Sequence, residues 1–428
     1  MVEPDNVLTR HGTHGRSAGR ATGAHPIGPP RTTAARDRVV GMRIAMVAAS
    51  WEVDADERRT HISELSHGLA LSGHQVTLYA RRDSLDPLRR GPPRLVRVPA
   101  GPATRLSEAE LLPHLDEFAA NLDKHWSRHP PDVAHLHSWT SGLAVRALDI
   151  PVVQSFHGLR ATRQRPSGGV RGLVEIERLV GLAADHVIAT NDEERSALAF
   201  LGIPRDRMTL ATTGVDVEHF RPEGATWTRG QEHRLLGLGD VEPHSGFYST
   251  IGALPRIPNA ELLITGRIRH AVSRDGPEVT RLLRHARDLG VADRVRFTGP
   301  VGRADLPALL RSADVVVRVP SHDPLGTPAL RAMACGVPVV ASAVGALRDL
   351  VVDASTGLLV PPRAPTVLGR ALRDLLADRT RRDLFSVAAL DRVRAGYSWA
   401  RVVGNTVEAY RKAITAGSRR RGAETDSR

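Results

Sequence analysis

From residue 43 onward, short unbroken apolar runs alternate with longer stretches in which apolar residues recur every three or four positions. "RIAMVAAS", beginning at Arg43, is a run of the kind buried on both faces of a parallel sheet. Residues 60–72 follow as a predicted helix, with Ile62, Leu65, Leu69 and Ala70 on one face and Gly73 at the C-cap. "QVTLYA" and "RLVRVPA" read as the next strands. Ser107 and Glu110 form an S-x-x-E capping box that opens a helix toward Trp126. "DVAHLH", "IPVVQSFHG" and "ADHVIATN" continue the strand series, and Asn191 caps the helix after them.

Periodicity is lost over residues 217–231, "VEHFRPEGATWTRGQ", which predicts a linker. The alternation then restarts with "RLLGLG", "AELLITG", "RVRFTG", "DVVVRVP", "VPVVAS" and "GLLVPP" as strands. Helices are predicted near 365–394 and 399–415. Strand–helix alternation played twice predicts an α/β protein with two doubly wound parallel sheets, over 42–216 and 232–396. Such sheets bind ligands at the carboxyl ends of their strands, and two facing domains make a cleft.

The two ends lack this pattern. Residues 1–41 are rich in Arg, Gly, Pro, Thr and Ala and predict a disordered tail. No apolar core follows their charges, so they do not read as a secretory signal, and Met42 is a candidate translation start. "GSRRRGAETDSR", residues 417–428, predicts a second disordered tail.

At 428 residues the chain is long enough for two domains with separate cores. Its 41% apolar and 25% charged content is that of a soluble globular protein. No apolar run is long enough for a transmembrane helix. One cysteine, Cys335, excludes an internal disulfide and makes a cytoplasmic location the expectation.

The net charge of +12 invites a nucleic-acid partner. Part of it sits in the tails, where residues 1–41 hold six arginines against three acids and 417–428 four against two. Elsewhere the arginines are spread along the chain without interleaved aromatics, and no nucleic-acid motif accompanies them. The only lysines are Lys124 and Lys412, and neither follows a glycine, so no phosphate-binding P-loop exists. "GLGDVEPHSG" starts like a dinucleotide fingerprint with Gly237 and Gly239, but Glu242 stands at the third glycine position. His135 and His137 share one face of a strand, yet no third metal ligand has a recognisable spacing, and a cleft-lining strand end is the expectation. His157 stands at a strand's carboxyl end, where it can serve either as a structural hydrogen-bonder or in catalysis.

The order and wording of these segments resemble the retaining glycosyltransferases of family 4. The likeness is carried by "RIAMV", "LALSGHQVTLYARRD", "DVAHLHSWTSGLAVRALDIPVVQSFHGL", "ADHVIATNDEERSALAFLGIPRDRM", "TTGVDVEHFRP", "RVRFTGPV", "LLRSADVVVRVPS", "AMACGVPVVAS" and "STGLLVPP". It covers roughly residues 42–415 and is closest to the branch holding sucrose-phosphate synthase and the inositol-phosphate glycosyltransferase of mycothiol synthesis. The resemblance implies a GT-B architecture, with two Rossmann-like domains facing a cleft. The acceptor would bind mainly to the first and a nucleotide-sugar donor mainly to the second. The segment 397–416 would be a helix crossing back to the first domain. The implied reaction is attack by an acceptor hydroxyl on the anomeric carbon with retention, needing no metal. Basic side chains and a helix dipole would neutralise the leaving diphosphate.

Carried over residue by residue, the resemblance places His157 as the active-site histidine and Asp323 as the acid facing the donor sugar. Leu325, Gly326 and Thr327 keep the donor-side helix start, with its exposed N–H groups suited to phosphate. His61, His137 and Trp139 fall on the acceptor side. Other positions depart from the pattern. A Gly-Gly pair before His61 becomes Asp56 and Glu57, which cannot offer bare backbone N–H groups to a diphosphate. In the stretch after Gly239, Asp240 stands for the usual Arg and Ser245 for the usual Lys. Arg331 stands for the second Glu of the family's E-x7-E pattern and cannot accept hydrogen bonds from a ribose.

Charge-assisted contacts to phosphate are worth about 1.5–3 kcal/mol each, so these losses bear heavily on donor affinity. Arg267, at a strand end after "LLITG", and Arg348 are available to compensate, and Arg331 itself could turn toward phosphate. Beside a nucleic-acid binder, which only the basic charge favours, two readings stand. One is an active glycosyltransferase with a remodelled donor pocket, acting on a small-molecule or glycolipid acceptor. The other is an inactive homologue that binds a ligand or partners another protein.

Overall fold

A computed structural model of the chain describes residues 41–50, 56–83, 93–145, 150–162, 170–267 and 276–426. Among them, one sheet is built from β1 (Arg43–Ala48), β2 (Gln75–Arg81), β3 (Arg94–Val98), β4 (Val133–His137), β5 (Val152–Ser155), β6 (His186–Ala189) and β7 (Met208–Leu210). Its order is β3-β2-β1-β4-β5-β6-β7, with every pairing parallel. A second sheet holds β8 (His233–Leu238), β9 (Ala260–Thr265), β10 (Val295–Gly299), β11 (Val315–Arg318), β12 (Val339–Ser342) and β13 (Gly357–Val360). Its order is β10-β9-β8-β11-β12-β13, again all parallel.

The apolar runs become central strands because helices cover both sheet faces. Ile44 to Ala48 of β1 are all buried. Ile62, Leu65 and Leu69, the predicted face of the helix Asp56–Leu71, pack against Ile44, Met46 and Leu78. Each sheet reverses its winding once, between β1 and β4 and between β8 and β11. The carboxyl ends of those strand pairs are the switch points where open α/β sheets take ligands.

Several elements differ from the sequence pattern. β7 lies outside it because three residues, "MTL", carry no readable period, and β7 pairs only with β6 at the sheet edge. The capping box of Ser107 and Glu110 forms, but its helix stops at Leu111 and resumes as Leu115–Trp126. Pro113 between them lacks an N–H and clashes with the preceding turn. The helical stretch 365–394 is two helices, Pro365–Ala377 and Arg379–Gly396, with Asp378 as N-cap of the second.

The final helix runs from Trp399 to Asp426, so the tail expected over 417–428 is helical as far as Asp426. The arginines at 419–421 are strong helix formers and, despite Gly417 and Gly422, they extend a helix already nucleated by packed turns. That nucleus is Val402, Val403, Val407, Tyr410 and Ala413, which pack into the core around Ile44 and Ile62. The last helix therefore belongs to the first sheet although it follows the second in sequence. Residues 217–231 form neither helix nor strand. The tail expected over 1–41 lies outside the described residues except for Gly41.

Candidate active site

At the second switch point, β8 runs out through Leu238, Gly239 and Asp240, while β11 ends on Arg318. Arg318 closes an otherwise apolar strand, and its side chain is 9% exposed. Its Nε donates to Asp323 Oδ2 at 2.8 Å and its Nη1 to the Leu238 carbonyl at 2.8 Å. Its Nη2 reaches Glu57 Oε1 at 3.4 Å. Gly239 has φ of 131°, and a Cβ there would strike Arg318 Nη1. Only glycine gives the guanidinium this room. Asp240 turns aside to Arg267, which donates from Nη2 at 3.0 Å and from Nε at 3.3 Å.

Asp323 is wholly buried. Its second oxygen, Oδ1, accepts the backbone N–H of Gly326 at 2.7 Å. Gly326, left-handed at φ 65°, is the N-cap of the helix Thr327–Ala334, and Leu325 beside it is buried. Thr327 Oγ1 is buried with no hydrogen-bond partner among the described residues. It opens on a small pocket lined also by His61, Arg303, Arg331, Phe220 and Trp399. Arg331 lies over the Phe220 ring, 5.3 Å from its centre. Arg303 is held by Glu64 at 3.3 Å and Asp216 at 2.9 Å.

Glu57 sits on the first turn of the helix Asp56–Leu71, with its side chain 32% exposed. Burial of the carboxyl pushes its pKa up to about 7, the pull of Arg318 opposing this and Asp323 adding to it. Arg331 also pulls it down, and Asp240 pushes it up.

The first sheet contributes a column of buried histidines. His135 Nδ1 shares a hydrogen bond with Tyr410 Oη at 2.8 Å, and its Nε2 another with Ser155 Oγ at 2.9 Å. The His135 and His137 rings lie 4.1 Å apart. His137 Nδ1 and His157 Nε2 share a hydrogen bond at 2.8 Å. His157 meets His61 edge to face at 5.1 Å, and His61 Nδ1 bonds Thr213 Oγ1 at 3.1 Å. Burial keeps them neutral, lowering His61 to about 4, His135 to about 3, and His137 and His157 well below the ordinary value. His157 holds a left-handed φ of 58°, a strained conformation for a residue with a Cβ.

The loop of His157 and the loop of Asp323 meet at Pro324. Gly158 packs against His322 and Pro324, and Glu194 Oε1 accepts the Gly158 N–H at 3.0 Å. Asn191 Nδ2 and Thr190 Oγ1 both donate to the Pro324 carbonyl, at 2.9 and 3.1 Å. The helices Asp192–Phe200 and Gly345–Leu350 satisfy each other's starts: Asp349 Oδ2 accepts Asp192 N–H at 2.7 Å, and Glu193 Oε2 accepts Gly345 N–H at 2.6 Å. These carboxylates take orphan N–H groups that a helix start otherwise leaves to water.

The structure thus gathers His61, His137 and His157 in one column, and Glu57, Gly239, Arg318 and Asp323 at the other switch point. Arg331 and Thr327 share a pocket with His61. Ser245 is not drawn in: its Oγ and its N–H both bond the Glu242 carbonyl, at 2.7 and 3.1 Å. Trp139 is buried in a core cluster with Phe156 and Leu159 and donates to Glu108 Oε2 at 3.2 Å. The Asp56 side chain lies outside the described residues. Arg348 is exposed on its helix. No cluster of three or more His, Cys, Asp or Glu among the described residues is arranged for a metal. Arg318 lies outside the candidates drawn from the sequence pattern, although an arginine ends "DVVVRVP" at a switch point.

Residues 59–219 match the model of the family described as Glycosyltransferase Family 4, and residues 228–391 that of Glycosyl transferases group 1. The D-inositol 3-phosphate glycosyltransferase of Kineococcus radiotolerans is 32% identical over 419 residues, covering 87% of this chain and 94% of the relative. That of Geodermatophilus obscurus is 35% identical over 388 residues, covering 83% and 85%. Sucrose-phosphate synthase from Thermosynechococcus elongatus shares the fold at a TM-score of 0.76 and 24% identity, over 87% of this chain and 99% of that one. Anabaena HepE, solved with UDP and glucose, does so at 0.70 and 16% identity, over 86% and 98%. The two parallel sheets are thus those of a GT-B fold.

Proposed function

Since the chain belongs to the family 4 glycosyltransferases, we propose that it transfers a sugar from a nucleotide-sugar donor to an acceptor hydroxyl, with retention at the anomeric carbon. The observation that carries this reading is the junction at Pro324. There Asn191 and Thr190 bond the Pro324 carbonyl and Gly158 packs against Pro324, which supports a site built from the connection bearing His157 and the connection bearing Asp323. In this reading the donor's diphosphate lies at the start of the helix Thr327–Ala334, where Thr327 Oγ1 lacks a partner and Arg331 and Arg303 line the pocket. The acceptor oxygen bonds to the anomeric carbon as the bond from that carbon to the diphosphate breaks. The acceptor proton passes to a phosphate oxygen of the leaving group. No metal takes part, since arginines and the helix start meet the leaving charge. An inositol phosphate, as named for the relatives, is the first acceptor to try, with small-molecule and glycolipid alcohols after it.

A second reading, an inactive homologue acting as a binding or partner protein, is favoured by one observation. Asp323, the expected sugar-facing acid, is wholly buried and bonded to Arg318 and Gly326. Calorimetry with UDP-, GDP- and ADP-sugars separates the two readings. Micromolar binding of one donor, with release of its nucleoside diphosphate when an acceptor is supplied, supports transfer. Absence of binding by all three at millimolar concentration replaces it with the second reading.

A further inference from the structure

We propose that Arg318 is the cation that receives the donor diphosphate, and that Glu57 is its exchangeable counter-ion in the empty site. This inference rests on the glycosyltransferase reading above and names the residue by which that site recognises its donor. Where the family places cations after Gly239, this chain has Asp240 and Ser245, and neither supplies positive charge. Arg318 comes from the neighbouring strand instead. β11 runs beside β8 in register, Val317 opposite Gly237, so Arg318 emerges alongside Leu238 at the same switch point. Its guanidinium occupies the space over Gly239 that a side chain there would fill. The charge has moved across one strand while keeping its place over the β8 turn.

The three contacts of Arg318 are unequal. Asp323 holds Nε at 2.8 Å between two buried groups, and the Leu238 carbonyl holds Nη1 at 2.8 Å. Glu57 reaches Nη2 at only 3.4 Å and is the one partner with substantial exposure. An entering phosphate oxygen replaces Glu57 at Nη2 and leaves the other two bonds in place. Guanidinium suits this exchange because its fork presents several N–H groups in one plane to an oxyanion. Arg267 pairs with Asp240 next to the same turn and offsets part of that carboxylate's charge.

The groups facing Glu57 set its response to pH. Arg318 and Arg331 favour its charged form, while burial, Asp323 and Asp240 oppose it. An ionised Glu57 competes with the diphosphate for Arg318, and a protonated one does not. A nucleotide-sugar diphosphate keeps its charge across neutral pH, so the change in binding reports Glu57.

The test is calorimetry of the full chain with UDP-, GDP- and ADP-sugars at about pH 6 and about pH 8. Wild type should bind its preferred donor roughly tenfold more weakly at the higher pH, as follows from a group titrating at about 7. E57Q should bind at least as tightly as wild type and lose this dependence. R318M should bind at least tenfold more weakly at either pH. R318M strands Asp323, so R318M/D323N, matched in charge, is measured beside D323N alone, with circular dichroism confirming that each is folded. Equal donor binding by D323N and R318M/D323N overturns the role of Arg318 and leaves the transferase reading intact. A wild-type pH dependence that persists in E57Q overturns the role of Glu57. Failure of wild type and E57Q alike to bind any of the three donors at either pH removes the transferase reading and this inference with it.

Discussion

Arg318 and Asp323 are five residues apart, yet they come from a strand end and a helix approach and meet at 2.8 Å with almost no exposure. Neither charge could stay buried alone. D323A leaves the guanidinium without its main counter-ion and should cost about 3–5 kcal/mol by urea unfolding. The apolar pair R318M/D323L should recover most of that loss, because the penalty comes from the stranded charge. A D323A loss below about 1 kcal/mol would show that water relieves the site.

Asn191 performs two tasks that substitution can separate. Its Oδ1 accepts Glu194 N–H at 2.8 Å as a helix cap, and its Nδ2 reaches the Pro324 carbonyl across the cleft. N191D keeps the cap and loses the cross-cleft donor, for about 0.5–1.5 kcal/mol. N191A loses both and should cost at least about 1 kcal/mol more than N191D. Equal stability of the two variants by thermal unfolding would assign the whole effect to the cleft contact.

The buried histidines make the fold sensitive to acid. An unfolded histidine titrates near 6.5, whereas His61 is lowered to about 4 and His135 to about 3 in the fold. The unfolded chain therefore binds more protons below 6.5. Stability from these groups is full above that pH and is lost as pH falls toward about 4 and about 3. Each such group contributes a slope of up to about 1.4 kcal/mol per pH unit. Unfolding midpoints between about pH 7.5 and about pH 5 should decline steeply, and H61N should decline less. The same slope in H61N would remove His61 from the account.

Glu57 acts in the opposite direction. Its carboxyl is raised from 4.5 to about 7, so the fold favours its protonated form. That contribution is full below 4.5 and is lost as pH rises through about 7. E57Q should therefore melt higher than wild type at about pH 8 and nearly equal to it at about pH 5. A lower melting temperature for E57Q at the higher pH would mean that the ionised Glu57–Arg318 pair outweighs the cost of burial.

Periodicity and cap chemistry are local, and sequence alone determined what depends on them. Twelve of the strands, the caps at Ser107 and Asn191, and the doubly wound class follow from short apolar runs, S-x-x-E and helical spacing. β7 escaped because three edge residues carry no period, and Pro113 divided a helix that its capping box had opened. The family likeness pointed to His157 and Asp323 as candidates and to the helix start at Thr327. It could not say which side chain lies over the turn that ends β8. That was decided by strand order, which sets β11 beside β8 and so puts Arg318 over Gly239, some eighty positions away in sequence. The same tertiary pairing set Asp240 against Arg267 and stacked histidines from β4, the end of β5 and the first helix into one column. Sequence spacing carries none of this, because the charge balance of a buried site depends on which strand ends the fold makes neighbours.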